Sequence, residues 1–264
     1  MARTRDDYHL SEASLRLDGV IALVTGASAG IGAAVAAELR SAGARLLLSG
    51  RDCKRLEVVA KRTGATALPA DLTEPAGPEK LVDAALDAAG RVDLLVCSAG
   101  VGWAGTIGEL SRDKAAELVT LNLLAPVELA RLLAPGMAER GFGRLIFVSS
   151  IAGAVGVRHE AVYSATKAGL NYLAESLRYE LAPTGVGVSV VLPGVVDTDF
   201  FNRRGRPYAR ARPVPISADR VARAITQAAL RDSPVVYVPG WLRFPAWLHG
   251  VAPRSFGRLA TRFG

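Results

Sequence analysis

Short apolar runs alternate with stretches of helical spacing along most of this chain of 264 residues. An apolar run that is followed by a helix and then by another apolar run predicts parallel strands joined by right-handed crossovers. The runs with the length and composition of buried strands are Val20–Thr25, Arg45–Ser49, Thr66–Pro69, Leu94–Cys97, Leu145–Ser149, Val186–Leu192 and Val235–Val238. We therefore expect an α/β fold with a doubly wound, mainly parallel, seven-stranded sheet that is covered by helices on both faces.

This Rossmann-like arrangement also predicts where a ligand binds. In such a sheet, ligands lie beyond the carboxyl ends of the strands, where the loops that follow the strands converge. Functional residues should therefore come directly after the strands, as the motifs described below do.

The composition predicts one folded domain, because a chain with 50% apolar residues can bury one large core. We expect an N-terminal extension over 1–16, a single domain over 17–240 and an amphipathic, basic segment over 241–264. No run approaches the ~18 to 20 uninterrupted apolar residues of a membrane span, and the N-terminus lacks the apolar core of a signal peptide. These features favour a cytoplasmic protein.

The formal net charge is +7, and arginines become more frequent toward the end of the sequence. Basic clusters attract nucleic acid, anionic lipid or phosphorylated ligands, but a solvated arginine-rich surface is the simpler interpretation, and we expect no nucleic-acid partner. Cys53 and Cys97 lack metal-ligand spacing, and His9, His159 and His249 are scattered. We therefore expect no metal site.

The first predicted strand leads into a glycine-rich turn over residues 25–32, which contains Gly26, Ser28, Gly30, Ile31 and Gly32. Glycines let the backbone turn sharply and approach a pyrophosphate, while the helix that follows directs its free N–H groups at the phosphates. The spacing is Gly-x-x-x-Gly-x-Gly, not the commoner Gly-x-Gly-x-x-Gly. A dinucleotide is the predicted ligand, and a strand-to-helix turn without a ligand is the alternative.

The second strand indicates which dinucleotide binds. Arg51 is the first long side chain after that strand, and a guanidinium there can bind the 2′-phosphate of NADP, whereas a carboxylate would bind the ribose hydroxyls of NAD. Asp52 keeps NAD open, although it is also the expected N-cap of the next helix. After the third strand, Asp71-Leu72 lies where the aspartate can accept from the adenine amino group or cap a loop.

Tyr163 and Lys167 are four residues apart in Ala161–Leu181, a stretch with helical spacing, so both lie on one helix face. A nearby ammonium favours the phenolate and lowers the pKa of a tyrosine toward the range of a general acid or base. Ser150 follows a strand, where its hydroxyl can bond a substrate oxygen. By itself such a pair is more often found on a helix surface, so the prediction depends on the combination.

The combination of the glycine-rich turn, Ser150, Tyr163 and Lys167 in this order resembles the short-chain dehydrogenase/reductase family, over roughly Leu17 to Val238. The resemblance implies that Ser150 orients the substrate oxygen and that Tyr163 is the catalytic acid or base. It also implies that Lys167 lowers the pKa of Tyr163 and holds the nicotinamide ribose, and that Asn122 supports a water-linked proton relay.

Two further loops match the family. Ala99 and Gly100 match its Ala-Gly pair at the cofactor, but Ser98 stands where the family usually has an asparagine. The sheet-stabilising hydrogen bonds attributed to that asparagine are therefore in doubt. The loop that meets the nicotinamide carboxamide in the family corresponds here to Pro193, Gly194, Val196 and Thr198.

The resemblance implies an NADP(H)-dependent oxidoreductase, with NADP(H) preferred to NAD(H), that transfers hydride between the nicotinamide and a ketone or secondary alcohol. An apolar, acyl or aromatic substrate is expected, as for a 3-oxoacyl reductase or carbonyl reductase. An NAD-dependent alcohol or hydroxysteroid dehydrogenase and a non-catalytic NADP-sensing scaffold are the alternatives. The family also implies a homodimer or homotetramer, formed through the helices around Asn122 and Tyr163.

The residues from about 199 to 216 occupy the place of the family's mobile substrate lid. Phe200, Phe201 and Tyr208 can meet an apolar ligand there, and the arginines of the segment can meet an anionic one. His159, close before Tyr163, can border the substrate or start the helix.

After the last strand, the residues from Trp241 to Phe263 mix aromatic and aliphatic side chains with arginines, as interfacial segments do. A weak peripheral membrane contact, a contact with a partner subunit and a cover over the substrate pocket are the possible roles. Pro245 and Pro253 argue against one long helix.

Overall fold

The structure, a computed structural model, describes residues 17–209 and 212–263, with side chains described as far as residue 258. The N-terminal extension expected over 1–16 lies outside the described residues.

The strands of the main sheet lie where the apolar runs predict them. They are β1 Ile21–Val24, β2 Arg45–Gly50, β3 Thr66–Pro69, β4 Leu94–Cys97, β5 Gly143–Val148, β6 Val186–Pro193 and, last along the chain, β9 Val235–Val238. All pairs are parallel, in the order β3-β2-β1-β4-β5-β6-β9. The predicted doubly wound, seven-stranded sheet is confirmed.

Helices cover both faces of this sheet. Their bounds are α1 Gly30–Ser41, α2 Cys53–Thr63, α3 Gly77–Ala89, α4 Arg112–Val119, α5 Ala125–Glu139, α6 Ala161–Leu181, α7 Phe200–Arg203, α8 Ala218–Arg231, α9 Arg243–Val251 and α10 Pro253–Phe263. Helices α1, α2 and α8 contribute to the core on one face, and α3, α5 and α6 to the core on the other. Successive residues of β4, such as Leu95 and Val96, point into opposite cores because neighbouring side chains of a strand face opposite sides.

A continuous helix runs from Arg112 to Glu139 through a π turn over Thr120–Leu124. By length and composition it is the one helix among the described residues that could cross a membrane. Its apolar window is 44% buried, and Leu129, Leu133 and Met137 pack in the core against the sheet. The core therefore accounts for the buried apolar residues of this helix, while Val119 and Leu124 on it are exposed.

A second, two-stranded sheet was not predicted. Its strands are β7 Val196–Asp197 and β8 Ile216–Ser217, and they pair in parallel. This pairing joins the two ends of the segment expected to be the lid, so that the segment leaves and returns at one place beside β6.

Candidate active site

A cleft of about 680 Å³ opens at the carboxyl ends of the strands. Of the predicted catalytic and cofactor-binding residues, only Asn122 lies away from its wall. The predicted residues that line it are Gly26, Ser28, Gly30, Ile31, Gly32, Arg51, Asp71, Leu72, Ala99, Gly100, Ser150, Tyr163, Lys167, Pro193, Gly194, Val196 and Thr198. The fold thus brings together residues that are far apart in sequence.

The glycine-rich turn leaves no room for side chains at two positions. Gly26 has a φ of +66°, and a Cβ there would lie 2.8 Å from the Cα atom of Ala99. A Cβ at Gly32 would overlap the main-chain oxygen of Gly26. Helix α1 begins in this turn at Gly30, and its N-cap Ala29 provides no side-chain acceptor. The N-terminal N–H groups of α1 are therefore suited to the phosphates of a dinucleotide.

At the far end of the cleft, Arg51 is 65% exposed and its Nη1 atom lies 3.9 Å from Oδ2 of Asp71. Asp71 also accepts hydrogen bonds from the main-chain N–H and the hydroxyl of Thr73. Burial raises the pKa of Asp71, but the Thr73 hydrogen bonds and the Arg51 charge outweigh it and hold this pKa below its ordinary value. Asp71 therefore caps its loop, as the second of its two interpretations predicted, and its carboxylate stays charged beside Arg51.

The carboxylate of Asp52 is engaged in its own helix. It is the N-cap of α2, and Oδ1 accepts from the main-chain N–H of Arg55 at 3.0 Å. The N-cap interpretation is confirmed, which leaves Arg51 as the long polar side chain that follows β2 into the cleft.

Thr25 makes a connection that the sequence analysis missed. Its Oγ1 atom accepts from the main-chain N–H groups of Ser98 and Ala99, at 3.1 Å each. These bonds join the carboxyl ends of β1 and β4. They lie at Ser98, which stands where the family usually has the asparagine to which sheet-stabilising hydrogen bonds are attributed. A buried threonine directly after an apolar strand was the available signal.

Tyr163 lies in the first turn of α6, where it is buried. Its hydroxyl is hydrogen-bonded to Ser150, whose own Oγ accepts from the Ala152 N–H at 3.1 Å. Burial raises the pKa of Tyr163 well above its ordinary value; the Ser150 hydrogen bond opposes this shift, Glu160 adds to it, and Arg204 opposes it. The expected lowering of this pKa by Lys167 is therefore wrong for the protein alone, because the cost of burying a phenolate dominates.

Lys167 is on the same face of α6 and is also buried. Its Nζ atom donates to the main-chain oxygen of Val148 at 2.9 Å and lies 5.9 Å from the centre of the Tyr163 ring. Burial lowers the pKa of Lys167 to about 8, with a smaller opposing effect from Cys97, whose own pKa burial raises to about 12. Lys167 therefore loses part of its charge near neutral pH.

Asn122 lies in the π turn behind the cleft, completely buried. Its side chain bonds both the N–H and the C=O of Val101, at 2.9 Å each, and Nδ2 lies 3.3 Å from Oγ1 of Thr166. Through these bonds Asn122 fixes the loop that follows Gly100.

An apolar pocket surrounds the Tyr163 side chain. Val101, Trp103, Val157 and Phe200 pack against the buried cluster that contains it, and the rings of Tyr163 and Phe200 are 5.6 Å apart. His159 lines the cleft as well, with a φ of 66° and with its main-chain oxygen bonded to the Gly105 N–H. His159 lies two residues before α6 begins at Ala161, and that it borders the substrate stays a prediction. The pocket suits an apolar group beside the tyrosine hydroxyl.

An ion pair that the sequence did not indicate connects the predicted lid to helix α6. Arg204 follows α7 and pairs with Glu160 at the start of α6; both side chains are mostly buried. The Arg204 guanidinium also stacks over the ring of Phe201, 4.5 Å from its centre. The segment after α7 is thereby held against the pocket.

Comparisons with known proteins agree with this geometry. A family model described as short chain dehydrogenase matches residues 20–208. Ketoacyl reductase HetN of a Nostoc species is 40% identical over 261 residues, covering 94% of this chain and 90% of the relative. A short-chain dehydrogenase from Sphingobium yanoikuyae, solved in complex with NADPH, superposes with a TM-score of 0.78 at 30% identity, covering 89% of this chain and 95% of that one. A homologue from Burkholderia phymatum in complex with NAD gives 0.81 at 26% identity, over 89% and 94% of the two chains.

Proposed function

We propose that this chain is an NADP(H)-dependent reductase of apolar ketones such as 3-oxoacyl groups. The chain belongs to the short-chain dehydrogenase/reductase family and is an oxidoreductase that acts on CH–OH or C=O groups. The observation that carries the proposal is the buried Tyr163 hydroxyl, bonded to Ser150, at the apolar end of a dinucleotide-shaped cleft. The roles assigned to individual residues below belong to this proposal.

The cofactor half of the cleft fits NADP. The turn with Gly26, Gly30 and Gly32 and the N-terminus of α1 would hold the pyrophosphate, helped by Ser28 and Ile31, and Arg51 would hold the 2′-phosphate. Asp71 and Leu72 would border the adenine. The residues that would hold the nicotinamide and its ribose are Ala99, Gly100, Tyr163, Lys167, Pro193, Gly194, Val196 and Thr198. When bound, the nicotinamide supplies the hydride.

The raised pKa of Tyr163 keeps its hydroxyl protonated, as a proton donor requires. A neutral tyrosine can donate its proton to a carbonyl oxygen on which negative charge grows during reduction. Ser150 would hold the same oxygen, while Asn122 would position the loop between Gly100 and Val101 and support the proton relay. In the oxidation of an alcohol, the same tyrosine oxygen would accept the proton.

The substrate class is supported by two separate observations. The side chains around Tyr163 are mainly apolar, and the 40% identical Nostoc relative is named a ketoacyl reductase. We propose that residues 199–216 form the lid over this pocket, with Phe200, Phe201 and Tyr208 stacked in series, 5.5 and 5.4 Å apart. An acyl chain would pack against these rings.

The NAD-dependent dehydrogenase remains a second candidate, because the Burkholderia phymatum neighbour was solved with NAD. We further propose a cytoplasmic homodimer or homotetramer formed through the helices around Asn122 and Tyr163. Val119, Leu124, Tyr172 and Tyr179 on these helices are exposed and would be covered by a second copy.

The test is NADPH oxidation with a panel of ketones, aldehydes and 3-oxoacyl thioesters, for the native chain and for Tyr163→Phe. We expect turnover of at least one apolar carbonyl, and a fall in kcat of about 10²- to 10⁴-fold for Tyr163→Phe with NADPH binding retained. Equal turnover by the variant would contradict the assignment of Tyr163 as proton donor. NADPH binding without turnover of any carbonyl would favour the non-catalytic NADP-sensing scaffold.

A further inference from the structure

The helix α9 carries an apolar stripe that faces solvent. Phe244, Trp247 and Val251 follow one another at helical spacing and are 62%, 59% and 65% exposed, and Trp241 just before the helix is 57% exposed. In an amphipathic helix such a stripe normally faces the core, but here the core contact is made by the buried Leu242 at the start of the segment. Exposed aromatic stripes of this kind mark interaction sites.

The segment is held in place on the fold. A Cβ at Gly194 would lie 3.0 Å from Cδ1 of Leu242, so Leu242 packs closely under the loop after β6. The rings of His249 and Phe256 are 5.2 Å apart and join α9 to α10, while Phe244 and Trp247 form a tilted ring pair at 6.0 Å. These contacts therefore hold in place the helix that carries the exposed aromatic side chains.

The charge around this stripe has one sign. No aspartate or glutamate follows Asp232 in the sequence, whereas Arg243 lies beside Phe244 and arginine recurs at every fourth position in α10, as Arg254, Arg258 and Arg262. A protein partner of mixed charge would also pair with acidic side chains, so it does not explain their absence over this length. A surface that is negative throughout and apolar beneath repels acidic side chains and therefore explains it.

From these observations we propose that Trp241, Phe244, Trp247 and Val251, together with Arg243, Arg254 and Arg258, form a docking surface for an anionic phospholipid bilayer. Tryptophan and phenylalanine partition into the interface between headgroups and acyl chains, and arginine is attracted to the negative surface of anionic lipids. The helix pair would lie in the plane of the interface and would not span the bilayer, since α9 and α10 are separated at Pro253 and each is too short to span it.

The experiment is cosedimentation of the full-length protein with vesicles of phosphatidylcholine alone and with vesicles of equal parts phosphatidylcholine and phosphatidylglycerol. We expect binding to the anionic vesicles with a blue shift of tryptophan fluorescence, weak binding to neutral vesicles, and release at high salt. The triple variant Phe244→Ala, Trp247→Ala, Val251→Ala should bind anionic vesicles about tenfold more weakly or worse, because most of the buried apolar area is removed.

Two further variants guard against misfolding and non-specific effects. Arg254→Glu with Arg258→Glu keeps the apolar stripe and should weaken binding to anionic vesicles only. Val58→Ala with Phe142→Ala removes exposed apolar groups elsewhere and should bind vesicles like the native chain. NADPH affinity, measured on every variant, reports that the fold is retained independently of vesicle binding.

Failure of the native chain to bind anionic vesicles overturns the proposal, as does unchanged binding by the triple variant. A native chain that ignores vesicles but falls to a smaller oligomer in the triple variant would also overturn it, and would identify the stripe as a contact between copies of this chain.

Discussion

The Nζ atom of Lys167 lies 2.9 Å from the main-chain oxygen of Val148, at the end of β5, and the lysine is buried. One main-chain acceptor compensates only part of the desolvation of an ammonium, so burial lowers the pKa of Lys167 to about 8. The burial of Lys167 in the cleft therefore lowers the stability of the fold.

This cost predicts a pH dependence of stability. The folded-state pKa of about 8 lies below the value of about 10.4 for an unfolded lysine, so the unfolded chain binds more protons between these values. The contribution of Lys167 to the free energy of unfolding therefore rises with pH across this window. Urea denaturation of the native chain and of Lys167→Met at pH about 7 and about 9.5 measures it.

The native chain should gain stability relative to Lys167→Met at the higher pH. The variant keeps the other groups that titrate in this range, so it is the control for their contribution. A difference that does not change with pH would contradict the burial of a titrating Lys167.

Asn122 is predicted to matter for stability as well as for catalysis. In Asn122→Ala the N–H and C=O of Val101 lose their bonds inside the fold, and each such loss costs about 1–3 kcal/mol. The free energy of unfolding should fall by about 2–6 kcal/mol on that basis. Thermal and urea denaturation check this.

Asn202→Ala is the matched control, because Asn202 is exposed and its side chain bonds only Asp199 among the described residues. It should change stability by no more than about 0.5 kcal/mol. Equal losses in the two variants would mean that the Asn122 bonds do not support the Val101 loop.

The pair of Glu160 and Arg204 predicts how the lid is held. Removing one partner of a mostly buried ion pair leaves a buried charge, and such changes cost about 3–5 kcal/mol. Arg204→Met should therefore raise KM for an apolar ketone and leave NADPH affinity unchanged, since Arg51 is at the other end of the cleft. Steady-state kinetics together with NADPH titration measure both.

A double-mutant cycle tests whether the two residues act on each other. Glu160→Gln with Arg204→Met should be less harmful than the sum of the single changes. Lys61→Met, which removes an exposed pair with Glu57 outside the cleft, should leave KM near the native value. Additive effects of Glu160→Gln and Arg204→Met would contradict the proposed lid contact.

The strands could be predicted from sequence because a short apolar run between turn residues is explained by a buried strand. Thr66–Pro69, Leu94–Cys97 and Val235–Val238 begin and end as predicted, and β5 starts two residues earlier than predicted, at Gly143, and ends one residue earlier, at Val148. A strand buried on both faces needs an unbroken apolar run, and the sequence around it supplies turn residues. The cofactor turn was predictable for the same local reason.

The site's electrostatics and its long-range contacts were not predictable in this way. The pKa of Tyr163 depends on burial by Phe200 and on Glu160 and Arg204, and Arg204 is 44 residues beyond Glu160 in sequence. The π turn at Asn122 and the pairing of β7 with β8 involve too few residues to leave a periodic pattern. These features arise from tertiary packing, which overrides local preference.

The most direct test of NADP(H) dependence is a fluorescence titration of the purified protein with NADPH and with NADH, for the native chain and for Arg51→Ala. Arg51 is the exposed guanidinium after β2, so we expect the native chain to bind NADPH more tightly and Arg51→Ala to lose that preference, with NADH affinity little changed. A native preference for NADH, or an NADPH affinity that Arg51→Ala leaves unchanged, would contradict the account.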